Sequence, residues 1–172
     1  MTIDAYLTTS INGMIAQLNG DTPWSDATWQ SYARLARKYP AVIVGKATYG
    51  IIQASSPDEF EKLGDPRVLV ISRRMKKTGS AMHRVVPGPQ SALAVLKRLR
   101  IKRALVIGGS KTLSLFLQAD AIDKLIVDIE PQIFGEGIPL VDLPASWKRT
   151  YASVRVSQPS SKVARVTYSK AA

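Results

Sequence analysis

Cysteine is absent from the 172-residue chain, and histidine occurs once, at His83. Those two absences exclude disulfides, thiol nucleophiles, cysteine-containing zinc sites and any multi-histidine metal site. No apolar run approaches the ~20 residues needed to cross a bilayer, and the amino terminus lacks a signal-peptide pattern. A cytoplasmic protein without membrane association is the expectation. Acid is also scarce, with 13 Asp and Glu against 24 Lys and Arg and a formal charge of +11. The shortage is local: no Asp or Glu lies between Asp65 and Asp120. Such a field suits an anionic partner, either nucleic acid or a phosphorylated small molecule, and equally a solvated basic surface.

What is present is a regular alternation of strand and helix patterns in a chain that is 45% hydrophobic, which suits one globular domain over residues 1–172. "IDAYLTTSI", "AVIVG", "RVLVISRR", "HRVVPG", "RALVIGG" and "DKLIVDIEPQIFG" read as strands. "SDATWQSYARLARKY", "PQSALAVLKRLR" and "SKTLSLFLQAD" carry helical apolar spacing, the first with Ser25 or Asp26 placed as its cap. "QASSPDEFEKLGDP" reads as loop with a short helical turn, and "WKRTYASVRVS" with "SKVARVTYS" as a closing antiparallel hairpin. Repeated strand–helix–strand units imply an α/β domain: a mixed, mainly parallel central sheet with helices on both faces and the hairpin at one edge.

The stretch "LVIGGSKTLSLFL" places Gly108 and Gly109 between a strand and a helix. It matches neither the Walker A spacing nor the G-x-G-x-x-G dinucleotide fingerprint. Without that fingerprint, Asp128 is a weak candidate for a ribose contact despite its downstream spacing. What remains is bare backbone beside a helix start, where Ser110, Lys111 and Thr112 could hold an anion. A plain turn capped by Ser110 accounts for the same residues. The pattern recurs, however. "VIVGKATYG" brings Gly45, Lys46 and Thr48 to a second junction, and "VLVISRR" ends a third strand at Ser72, Arg73 and Arg74. In a parallel sheet these ends share one edge, where ligands bind. A dinucleotide is the economical ligand, and the arginine pair favours one carrying an extra 2′-phosphate.

The segments "TTSINGMIAQLNGDTPW", "AVIVGKATYG", "RVLVISRR", "ALVIGGSKT" and "DKLIVDIEPQIFGEGIPLV" occur in the order used by the dihydrofolate-reductase-like superfamily. The chain most closely resembles its riboflavin-biosynthesis branch, the carboxyl-terminal reductase domain of the bifunctional deaminase-reductases, over essentially its whole length. That resemblance implies a dihydrofolate reductase-like three-layer fold, NADPH as cofactor, hydride transfer to a pterin- or pyrimidine-like ring, and a homodimer. It also implies that Thr48 and the Gly108–Thr112 loop sit at the pyrophosphate, and that Ser72 with Arg73 meets the adenosine phosphate. Thr8 or Thr9, Ile15 and Ala16 resemble positions beside the nicotinamide, and Trp24 the tryptophan after that loop.

Three departures concern acids. Asn12 stands where relatives commonly read aspartate in S-L-D-G, and Ile107 where riboflavin reductases carry an acid before the glycine pair. Asp26 lies close to, but shifted from, the first-helix carboxylate of dihydrofolate reductases. Asp26 is the one catalytic candidate, and a helix cap is its competing role. His83 reads as an ordinary surface residue, Tyr49 as core, and Glu136 as part of a turn. An NADPH-dependent reductase of a small heterocycle leads. A polyanion-binding protein using the basic 66–119 segment and a catalytically silent NADP-binding member are the rivals, with nucleic acid disfavoured by the absence of interleaved aromatics.

Overall fold

Strands that are apolar at every position can be accommodated only if both faces of their sheet are covered. The computed structural model describes residues 1–171. β1 (Thr2–Thr9), β3 (Ala41–Gly45), β4 (Arg67–Ile71), β5 (His83–Val86), β6 (Arg103–Val106) and β7 (Lys124–Ile129) run parallel to one another. β9 (Ser153–Ser160) and β10 (Val163–Ser169) form the expected antiparallel pair, with β10 against β7. The strand order is β5–β4–β3–β6–β1–β7–β10–β9. A separate small pairing joins β2 (Met14–Ala16) to β8 (Ile138–Pro139), two short strands with no sequence signal of their own.

The pleat divides the core in two. Along β3, Ile43 enters one face while Val42 and Val44 enter the other. The first face is covered by α4 (Pro89–Arg98) and α5 (Ser110–Gln118), whose Leu96, Leu113 and Phe116 are fully buried. The second is covered by α1 (Asp26–Ala36), α2 (Lys46–Ser55) and α3 (Glu59–Lys62), through Tyr32, Tyr49 and Phe60. The result is three layers. α1 starts at Ser25, whose Oγ accepts from the Thr28 amide at 3.4 Å. Ser25 is therefore the cap, and Asp26 is the first helical residue.

The carboxyl ends of β4, β3, β6, β1 and β7 stand side by side along one edge of the sheet. β10 then runs the other way and ends the series. At the far side β9 is a free edge, with Val154 and Val156 exposed.

Candidate active site

Two strand-to-helix junctions meet in the middle of that row. Gly45 closes β3 and α2 begins at Lys46; Gly108 and Gly109 follow β6 and α5 begins at Ser110. Because β3 and β6 are neighbours, the two helix starts lie together, and their threonines interlock with the glycines across the gap. A Cβ on Gly45 would stand 2.3 Å from Thr112 Oγ1, and one on Gly108 would stand 2.9 Å from Thr48 Cγ2. Gly109 has φ +80, and a Cβ there would lie 3.3 Å from Thr48 Oγ1. At Gly45 and Gly108 a Cβ would collide with the facing threonine, while Gly109 is favoured by its left-handed backbone and a Cβ there would be tight against Thr48.

Neither α2 nor α5 has a side-chain cap, so the donors of both first turns lack the usual acceptor. The Ser110 hydroxyl is buried without a hydrogen-bond partner. Bare backbone, uncapped donors, two threonines and an orphaned hydroxyl suit a diphosphate, whose charge is favoured at helix amino ends. Lys46 and Lys111, in the first turns, are exposed. One strand further out, Ser72 Oγ accepts from the backbone amides of Arg74 (3.2 Å) and Met75 (2.9 Å). That turn presents Arg73 and Arg74, both exposed, at the end of β4. Lys97 and Arg98, in the last turn of α4, and Arg100, Lys102 and Arg103 after it lie instead toward the amino end of β6. The basic interval thus divides between the two edges of the sheet.

In the other direction along the row, Thr8 and Thr9 are buried at the end of β1, and Ile15 and Ala16 lie on β2. A Cβ on Gly137 would stand 2.6 Å from the Ala16 carbonyl oxygen, so this glycine lets the strand after "FGEG" close on β2. Trp24 stacks on Phe134, with ring centroids 5.6 Å apart. Between residues 17–19 and 133–136 opens a cleft of about 480 Å³, lined in part by Leu18, Ile133 and Phe134. Asn12 uses both ends of its amide here: Nδ2 donates to the Phe134 carbonyl at 2.6 Å, and Oδ1 accepts from Ser10 Oγ at 2.8 Å. An aspartate could not make the first of these bonds.

The carboxylates are distributed differently from the sequence expectation. Asp26 is exposed. Asp128 is fully buried and held by Arg165 through a paired contact (Nε to Oδ1 2.6 Å, Nη2 to Oδ2 2.7 Å), with Tyr6 donating to Oδ2 at 2.8 Å. All of its charge is committed internally, which removes it as a ribose ligand. Sequence reasoning missed Glu130, just beyond β7 and only 2% exposed. Its Oε1 accepts from the Ser25 amide (3.0 Å), the Ser25 hydroxyl (2.6 Å) and the Thr28 hydroxyl. Burial pushes the Glu130 carboxyl up, but the donors from Ser25 and Thr28 outweigh it and leave the pKa below the ordinary glutamate value.

A signal for Glu130 was available. Ile126, Asp128 and Glu130 alternate onto one face of a strand whose neighbours are apolar, and two acids on a buried face require partners. Ile107, where relatives keep an acid, is half-buried and packs against the α1–α3 core. His83 is also corrected. It is half-buried rather than a surface residue, because β5 presses it against Phe60 and lets Nδ1 pair with the Tyr49 hydroxyl at 2.9 Å. Burial first, then the Arg67 charge, pushes its pKa down.

With this architecture in view, the class is a three-layer α/β domain of the dihydrofolate reductase-like fold. The family model described as the RibD C-terminal domain matches residues 2–163, and the chain belongs to that family. Protein YwjB of Bacillus subtilis (strain 168), described as uncharacterized, is 25% identical over 155 residues, covering 78% of this chain and 79% of its own. The riboflavin biosynthesis protein RibD of Aquifex aeolicus is 41% identical over 54 residues, only 31% of this chain and 15% of that protein. Among solved structures, a Thermotoga maritima diaminohydroxyphosphoribosylaminopyrimidine deaminase/5-amino-6-(5-phosphoribosylamino)uracil reductase is similar with TM-score 0.74 at 20% identity. That match covers 99% of this chain and 56% of the bifunctional protein. A pyrimidine reductase-like protein of Corynebacterium diphtheriae has TM-score 0.72 at 16% identity, covering 99% and 92%.

Proposed function

We propose that this chain is an NADPH-dependent reductase of a small nitrogen heterocycle, pyrimidine- or pterin-like, with residues 1–172 acting as one domain. The observation that carries this reading is the interlocked cradle between α2 and α5, built where a diphosphate would need it. In it, Gly45, Gly108 and Gly109 bring bare backbone to the pyrophosphate, and Thr48, Ser110 and Thr112 supply hydroxyls. Lys46 and Lys111 add positive charge at the rim. Ser72, Arg73 and Arg74 receive the adenosine end, where guanidinium groups suit a 2′-phosphate. Thr8, Ile15, Ala16 and Trp24 border the nicotinamide. Bound NADPH supplies the hydride; the protein's own part is to orient two rings and exclude water between them. The names of the Thermotoga and Corynebacterium relatives support a pyrimidine as the acceptor class. The homodimer implied by the family belongs to this reading, with the free β9 edge as its proposed face, and sedimentation tests it.

Titration with NADPH and NADH tests the reading directly, followed by loss of NADPH absorbance with a panel of pyrimidines and pterins. NADPH should bind more tightly than NADH, and Arg73→Ala should weaken NADPH far more than NADH. Equal losses would move Arg73 out of the site, and a protein that binds no NADPH is not this reductase.

A further inference from the structure

We propose that the chain carries a second anion site, a cleft at the amino edge of the sheet that takes a small phosphorylated ligand. The cleft opens beside the starts of β3 and β4, lined by residues 37–40 and 63–66, with a volume of about 590 Å³. Pro40, Leu63 and Pro66 give it apolar wall. The cradle between α2 and α5 lies at the other end of β3, five residues or about 16 Å away. The two places are on opposite edges of the sheet.

Orientation carries the assignment. An arginine on a protein surface ordinarily samples many rotamers, and fixing one costs entropy. Here two guanidinium groups are held. Arg37 Nε donates to the Lys62 carbonyl at 2.8 Å, which ties the end of α1 to the end of α3 and leaves both Nη groups for another acceptor. Arg103 opens β6, the neighbour of β3, and its Cζ lies over the Tyr39 ring, 4.6 Å from the centroid. That ring is fixed in turn, because the Tyr39 hydroxyl donates to the buried Asp4 carboxyl at 2.5 Å. Tyr39 lines the cleft, so Arg103 stands at its margin, and Lys38 on the lining supplies a third cation. All three cations are exposed, and none forms a salt bridge among the described residues. Asp65 is the one acid on the lining. The surplus is positive and suits a ligand with two or more negative charges. The carbonyl end of α1 accounts for a cation nearby, but not for two arginines held in place with donors left over. Guanidinium groups meet phosphate oxygens in pairs, and a phosphoryl group gathers its charge within the compass of so small a cleft.

The test titrates inorganic pyrophosphate calorimetrically into the full chain at about 0.15 M salt, with and without saturating NADPH. With NADPH present, one pyrophosphate should bind per chain with a Kd of about 1 mM or tighter. Arg37→Ala and Arg103→Ala should each weaken it by at least about tenfold, the scale of a charged hydrogen bond, while NADPH affinity stays within about twofold. Arg37→Lys keeps the charge without the fork and should fall in between. The double variant Lys97→Ala/Arg98→Ala removes two exposed cations from the end of α4 and should change nothing. Equal losses in that control would reveal a diffuse basic surface and overturn the site. Pyrophosphate that binds only when NADPH is absent, and is indifferent to Arg37→Ala, belongs to the cradle and overturns it as well. So does a chain that binds no pyrophosphate at all. Should Arg103→Ala lose stability along with its stacking contact, Arg37→Ala alone decides. A chain that binds no NADPH overturns the reductase reading, and the same arginine variants still decide this site.

Discussion

Between β3 and β6 the candidate site is kept open by what its residues lack; between β1 and β7 it is held together by what they carry. In the first region Gly45, Gly108 and Gly109 leave room for Thr48 and Thr112, and a carbon added at Gly45 or Gly108 collides with the facing threonine. In the second, polar bonds join distant parts of the chain: Asn12 to Phe134, Ser25 to Glu130, Tyr6 to Asp128. The first region should fail when atoms are added, the second when charge or a donor is removed.

The sharpest break is expected at the buried pair. Arg165→Ala leaves Asp128 charged and unpaired in the α1-facing core, and unfolding free energy should fall by about 3 kcal/mol or more. Arg165→Lys should recover only part, since a single ammonium cannot reproduce the paired contact. Urea denaturation measures both. Between β3 and β6, Gly45→Ala forces Cβ against Thr112 and should cost about 1–3 kcal/mol, with NADPH affinity falling in parallel under the proposed function. Adding Thr112→Ala should restore stability but not affinity, which separates the space the glycine leaves from the hydroxyl the threonine supplies.

Asn12→Asp tests whether restoring the acid common among relatives restores anything. Removing the Nδ2 donor to Phe134 should lower stability by about 1 kcal/mol, with no gain in turnover of any ring in the panel. The smallest effect is expected outside both regions, at Asp4, which is buried near the amino ends of the strands with Tyr39 donating to Oδ2 at 2.5 Å. Burial raises its pKa above the ordinary aspartate value, with Tyr39 opposing, so ionising it costs stability as pH rises through the raised value. Asp4→Asn should therefore melt higher than wild type at neutral pH, and the gap should close as pH falls below that range.

The same contrast explains what could be read in advance. Strand periods, the hairpin and the helix starts are local, and "VIVGKATYG" and "LVIGGSKT" each carry a whole junction within ten residues. The three-layer fold and the cradle were legible for that reason. Only the steric need for the glycines, each facing the other junction's threonine, waited for the register of β3 and β6. The β1–β7 end was largely illegible. Asn12 looked like a lost acid because nothing near it in sequence reveals the Phe134 carbonyl. Asp128 looked free because Arg165 lies in the last strand. Glu130 passed as an ordinary strand end, since its partners Ser25 and Thr28 lie 105 and 102 residues away.

The reversal of direction between β7 and β10 also acts as a ruler. Five consecutive carboxyl ends, from β4 to β7, span four strand spacings, or about 19 Å, and no further parallel strand can extend them on that side. Ligand length is thereby written into strand order before any side chain is chosen. A relative of this fold that accommodates a longer acceptor would have to gain the room from loops such as 17–24 and 131–137, and variation in substrate size across such chains should concentrate there while the sheet stays the same.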